Sequence, residues 1–163
     1  MRLLLEFFLF FVSTFVFSSL PLEVSLEKLV ENSDHLLVGH VVGVEMMDDK
    51  GNALVDLEAM TGPEIGNTIR LIVEIDEVIL SNVRKVPSVI KVPLDPFMHY
   101  SLGQIKEAHD KDNPKFLLLL KGSDFNPPFP GVFGRSIEDK DEILSLLKSN
   151  QAQKKDPDEQ GTS

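Results

Sequence analysis

Ile69-Arg70-Leu71-Ile72-Val73-Glu74-Ile75-Asp76 is the clearest pattern in the chain. Ile69, Leu71, Val73 and Ile75 alternate with Arg70, Ile72, Glu74 and Asp76. A period of two places alternate side chains on opposite faces of a strand, here one buried face and one mostly wet. The same reading spreads outward from this segment. Upstream, residues 35–47 are Val-rich and interrupted by Gly39 and Gly43, which predicts one long, curved strand bent or bulged at the glycines. Asp48-Asp49-Lys50-Gly51-Asn52 has turn composition. Residues 53–60 read as a weaker strand and residues 61–67 as a loop.

Downstream, residues 88–92 read as a strand stopped by Pro93. Phe116-Leu117-Leu118-Leu119-Leu120 is continuously apolar, as expected of a central strand covered on both sides. Residues 132–137 suggest a last short strand. At the N-terminal side Ser25 precedes Leu26, Leu29 and Val30 at helical spacing, which predicts a short capped helix. Residues 139–149 predict an amphipathic helix, with Ile143, Leu144, Leu146 and Leu147 on one side and acids in the first turn. From residue 150 to 163 the chain is polar and expected to be disordered. The fold class is therefore mainly β: a five- to six-stranded small barrel with a short helix before it and an amphipathic helix after it.

The composition sets the compartment. Residues 1–18 carry a basic start, Met1-Arg2, and an apolar run broken only by Glu6, Ser13 and Thr14; Val16 and Ser18 stand at −3 and −1 of a cleavage site before Ser19. Six of the eleven Phe lie here, so the body is aliphatic. An uncleaved anchor facing the periplasm is the alternative. It needs about 20 apolar residues, and Pro21 with Glu23 closes the run early. The domains expected are a signal at 1–18, a single barrel domain at 19–149 and a tail at 150–163. A net charge of −10 excludes the basic surface that nucleic acid requires. With no cysteine, thiolate catalysis, Cys-based metal sites and disulfides are excluded. The expected location is periplasmic or extracellular, with membrane contact only during export and a monomeric or weakly associating state.

Four strand-like segments in order, HLLVGHVVGVE (35–45), IRLIVEIDEVIL (69–80), SVIKVPL (88–94) and KFLLLLKG (115–122), resemble a group of uncharacterised secreted bacterial proteins. Those proteins in turn resemble the oligonucleotide/oligosaccharide-binding (OB) barrel of netrin-like domains. The resemblance covers residues 25–137 and rests on hydrophobic patterns. It implies the barrel and a role in binding rather than catalysis. Metalloproteinase inhibitors of the netrin-like group act through an N-terminal cysteine and disulfides, which this chain lacks, so that activity does not carry over.

Two proline-braced loops hold four of the six aromatics that follow the signal. Residues 93–104 contain Asp95, Phe97, His99 and the one Tyr, Tyr100; residues 122–131 contain Phe125 and Phe129 together with three prolines. Ordered loops with aromatic and polar-tipped residues suit recognition, whereas Phe97 and Tyr100 also suit the plugging of a barrel mouth. If the loops converge, Asp95, Phe97, His99, Tyr100, Phe125 and Phe129 surround a groove for an unidentified protein or small molecule. A small hydrolase or metal-dependent enzyme using the loop around His99 is the alternative. Asp95, His99 and Ser101 lie on one loop without a nucleophile elbow or an oxyanion hole. His35 and His40 fall on opposite strand faces, and His109-Asp110 with Asp112 lacks the remaining ligands of a calcium loop. No catalytic, cofactor-binding or metal residue is assigned, and no cofactor motif is present. A structural subunit of an envelope complex has the same sequence signature as a binding module.

Overall fold

Thirteen consecutive residues, His35–Met47, form β1, and every other strand but two pairs directly with it. The computed structural model describes residues 24–110 and 113–153. The signal and most of the tail lie outside these residues, as does Asp112. After α1 (Leu26–Glu31) and β1 come β2 (Ala53–Leu54), β3 (Thr68–Ser81), β4 (Val89–Pro93), α2 (Leu102–Asp110), β5 (Phe116–Leu120), β6 (Gly134–Arg135) and α3 (Lys140–Gln153). All pairings are antiparallel. The strand order is β4-β3-β1-β5-β6, with β2 added to the far end of β1. The described residues are thus mainly β, one six-stranded sheet with three α-helices. The sheet is open: among the described residues no ladder joins β4 to β6, so the expected barrel is not closed by hydrogen bonds.

The sheet curves because β1 and β3 do not match residue for residue. Register shifts fall between Leu36 and Leu37, between Val38 and Gly39, and between Val41 and Gly43. They leave Ile79 and Asp76 unmatched on β3 and Val42 unmatched on β1, and each bulge sharpens the local twist. Both faces of the first half of β1 are covered. Leu36 and Val38 join Leu117 and Leu119 of β5 under Leu29, Val30 and Ile143 from α1 and α3. Leu37 and Val41 turn the other way, with Leu118 and Leu120, into the main core with Val73, Ile90 and Val92. Two buried faces explain why FLLLL shows no alternation. A third cluster, Met46, Ile69 and Leu102, closes the far end under α2.

Several boundaries differ from expectation. Residues 53–60 form only the two-residue β2, because the Asp56 side chain accepts the Glu58 amide (3.0 Å) and its carbonyl accepts that of Ala59 (3.1 Å), which turns the chain out of the ladder. Only Gly134–Arg135 of 132–137 is strand; the Ser136 hydroxyl caps a 3-10 turn, Ile137–Asp139, that runs into the last helix. That helix passes residue 149 and continues to Gln153, since Asn150 to Gln153 contains no breaker. Helix α2 begins at Leu102, inside the 93–104 segment read as a loop.

Gly39 is where the sheet tolerates no side chain. A Cβ there would lie 2.6 Å from the Glu74 carbonyl oxygen and 2.9 Å from Val73 Cγ1, whereas at Gly43 the nearest atom is Ile72 Cδ1 at 3.4 Å. Gly39→Ala is expected to cost about 1–3 kcal/mol and to lower Tm by roughly 5–10 °C. Gly43→Ala stays close to wild type. Thermal melts of both variants check the contrast.

Candidate functional site

Where β4 ends, the Leu94 amide still donates to Ile69 O (3.0 Å), and the chain then leaves the sheet through Pro93-Leu94-Asp95-Pro96. Asp95 folds the loop locally: its carboxylate accepts the Phe97 amide (2.9 Å) and its carbonyl that of Met98 (3.3 Å). The second loop begins with Lys121 and Asn126 exchanging backbone hydrogen bonds of 2.8 and 3.0 Å. Gly131 turns at φ 68°, and a Cβ there would sit 3.3 Å from Asp95 Cβ. The two loops therefore touch. Between them lies an apolar groove of about 310 Å³. Pro93, Pro96 and Phe97 form one wall and Asn126, Pro127 and Pro130 the other. Its size is at the small end of ligand pockets, roughly 300–1,000 Å³. A larger cleft of about 620 Å³, lined with Asp76, Glu77 and Lys85, lies along β3 and its return to β4. It is built by one hairpin and is more polar.

The loops meet through their prolines, and their aromatics part company. Phe97 is 67% exposed at the groove. Phe125 is buried at φ 55°, a strained conformation for a bulky residue, with its ring 4.7 Å from that of His35. Phe129 packs toward α1, where Lys28 Nζ lies 5.7 Å from its ring centroid. Tyr100 is half-buried beside Leu102 and Met46; burial, helped by the Asp95 charge, raises its phenol above the ordinary range. His99 is exposed against Gly62. The Ser101 hydroxyl accepts the Gln104 amide (3.1 Å), and the Gln104 side chain accepts the Ser101 amide (3.3 Å), a capping box that opens α2. Among the described residues no hydrogen bond links His99 to Asp95 or Ser101. The end of the sheet is plugged by Leu102, fully buried, rather than by Phe97.

Thr61 is the residue that the pattern of the sequence did not single out. It is fully buried; its hydroxyl donates to Met98 O (2.8 Å) and accepts from the Tyr100 amide (3.0 Å), while its own amide donates to Tyr100 O (2.9 Å). Only long-range contact reveals this role, because a lone Thr in a Gly/Pro-rich loop reads as solvent-facing. The capping box Ser101-x-x-Gln104, by contrast, was a local signal for α2.

The histidines of β1 are structural. His35 is buried, with Nε2 donating to Gly122 O (2.9 Å) and Nδ1 opposite the Ser81 hydroxyl (2.9 Å). His40 sits at the surface, 2.8 Å from Asp76, which also binds Lys115 Nζ (2.7 Å). His109 lies in the last turn of α2, where burial lowers its imidazole below the ordinary range against the pull of Asp110. Among the described residues no group of three or more His, Asp or Glu is arranged to hold a metal ion.

Two carboxylates tie acid stability to the geometry. The hydrogen bond from Lys115, then that from His40, holds Asp76 below the usual carboxylate range. The side chain and then the amide of Asn52 do the same for Asp48. A carboxylate with a lower pKa when folded stabilises fully above about pH 4, and this is lost as pH falls through the folded value. Melts across the acid range should show Tm falling below about pH 4, with a shallower fall in Asp48→Asn/Asp76→Asn. Thr61→Val should cost about 1–3 kcal/mol by leaving Met98 O and the Tyr100 amide unpaired, whereas Thr61→Ser retains most of that stability in the same melts.

No protein-family model, curated protein or solved structure matches the chain.

Proposed function

We propose that the chain is an exported, barrel-type binding module that acts without catalysis, and that its ligand seats in the proline-walled groove. The groove is the observation that carries the reading. It joins two loops far apart in sequence, is lined almost wholly by apolar surface, and leaves Phe97 exposed at its edge.

Three features support a barrel of OB type. The order β4-β3-β1-β5-β6 traces a five-strand path with one unpaired seam, and β2 is an addition to β1. Helix α2 lies between β4 and β5 and plugs one end. Phe125 and Phe133, beyond β5, share one core with Ile90 and Val92 of β4 across that seam. OB barrels are partly open and bind ligands across their second and third strands and in the loops after the first and fourth. On this path those are β3, β4, residues 48–67 and residues 121–133, and the groove lies against the ends of β3 and β4 and the last of these loops. Residues 1–18 supply the export signal in this reading.

The test is partner recovery from the periplasmic and extracellular fractions of the producing cell, with wild type and Phe97→Ala/Asn126→Trp as baits. The double substitution removes the exposed ring and fills the groove. Recovery of the wild-type partner is expected to fall at least about tenfold, a loss of roughly 1.4 kcal/mol, with Tm unchanged as the control for folding. Equal recovery by both baits overturns the groove as the binding site.

A further inference from the structure

Among the described residues, ten large hydrophobic side chains are exposed, and six of them stand on two short segments: Val55, Leu57, Met60, Ile65, Phe97 and Met98. The segments are stitched together. Met60 and Ser101 form a β-bridge, the Gly103 amide donates to Leu57 O (2.9 Å), the Leu102 amide donates to Ala59 O (2.9 Å), and Thr61 bonds to Met98 and Tyr100. A Cβ on Gly62 would touch both His99 (2.9 Å) and Ile65 Cδ1 (3.4 Å), so the loops also pack by their side chains. The hydrophobic groups therefore crowd one end of the sheet, above the Met46–Ile69–Leu102 cluster and next to the groove. A clustered apolar surface of this kind marks an interaction site, and methionines such as Met60 and Met98 adapt to varied partners.

Charge decides which partner fits. Residues 48–67 carry five acids, Asp48, Asp49, Asp56, Glu58 and Glu64, against Lys50 alone. Asp48 is committed to its turn. Asp49, Asp56, Glu58 and Glu64 are exposed, and among the described residues none has an ion-pair partner. Elsewhere the sheet neutralises its acids: Glu45 pairs with Arg70 and Lys91, Asp76 with Lys115, and Glu77 with Lys140. The apolar end thus also carries uncompensated negative charge. Glu31, Asp141 and Glu142 on α1 and α3 are likewise without an ion pair, but among the described residues no large hydrophobic of those helices is exposed beside them. An anionic membrane would be repelled, and a second copy of this face would meet like charge.

We propose that this face docks a cationic, amphipathic protein segment, with apolar side chains against Leu57, Met60, Ile65, Phe97 and Met98 and Lys or Arg against Asp56, Glu58 and Glu64. The proposal rests on the reading of the loop end as the binding face and adds the chemistry of the partner.

The probe is an 18-residue Leu/Lys amphipathic peptide, titrated by fluorescence anisotropy into the full chain, with the Leu/Glu peptide of the same pattern as its counterpart. Two variants act on the face: Leu57→Ser/Phe97→Ser removes apolar groups, and Asp56→Lys/Glu58→Lys/Glu64→Lys reverses charge. A third, Glu31→Lys/Asp141→Lys/Glu142→Lys, makes the same charge change on α1 and α3 at the opposite end. The expected result is binding of the Leu/Lys peptide alone, weakened at least about tenfold by both face variants and by added salt, and changed less than about twofold by the third. If the apolar variant weakens binding but charge reversal does not, or if the Leu/Glu peptide binds as well, the cationic partner is overturned and the face stands. If neither face variant changes binding, or the remote variant weakens it equally, the face itself fails. Sedimentation with phosphatidylglycerol vesicles but no peptide binding would replace the protein partner by a membrane.

Discussion

The contact of Gly39 with β3 is the constraint on which the sheet depends. At that point β1 must present Val38 to the helices and Val41 to the main core, while its own backbone approaches the Glu74 carbonyl more closely than any Cβ permits. The register shift beside Gly39 leaves Asp76 unmatched on β3. There it meets both His40 and Lys115, so the surface ion cluster is a by-product of the bulge. Further along, the shift at Val42 turns the strand again toward Met46. One end of β1 is consequently buried beneath α1 and α3 and the other beneath α2. A strand of 13 residues spans roughly 40 Å if straight, and these bulges let it wrap a core instead.

Much of this was legible wherever burial imposes a period. β1 has the bounds its composition predicts, FLLLL is apolar on both faces because helices cover one and the core the other, and the alternation at Ile69–Ile75 belongs to a central strand. Legibility ended at the two-residue strands and at α2. Short strands carry too few residues to show a period, and their existence depends on partners distant in sequence. The α2 segment was masked by a proline-dense approach and by a charged second half, and its one buried residue, Leu102, gives no period. Its capping box was the readable signal.

The convergence of the two loops was legible, and the direction of their side chains was not. Composition picked out two proline-rich loops, and these do line one groove. It did not tell where the rings point. Phe125 is drawn inward by the buried His35, Phe129 by α1, and Tyr100 by the cluster under α2, because each ring gains more from burial than from display. Of the four loop aromatics only Phe97, held on a turn closed by Asp95, stays outside, at the edge of the groove. Prolines, which have little to bury and fixed backbones, were left to form the walls.

This division also separates stabilising charge from charge available for recognition. An acid on a strand has a neighbouring strand at a fixed spacing, and Glu45, Asp76 and Glu77 each find a cation there or on a nearby helix. Acids on the 48–67 connection have no such neighbour, and their side chains turn to backbone amides, as Asp48 and Asp56 do, or to water. Exposed pairs add little stability, so leaving Asp49, Glu58 and Glu64 unpaired costs the fold little. The cost of the arrangement falls instead on the exposed Leu57, Met60, Phe97 and Met98, which water solvates poorly. Burial of those groups by a partner carrying opposite charge would relieve both conditions at one surface, which no rearrangement within the sheet achieves while Thr61 holds the two loops together.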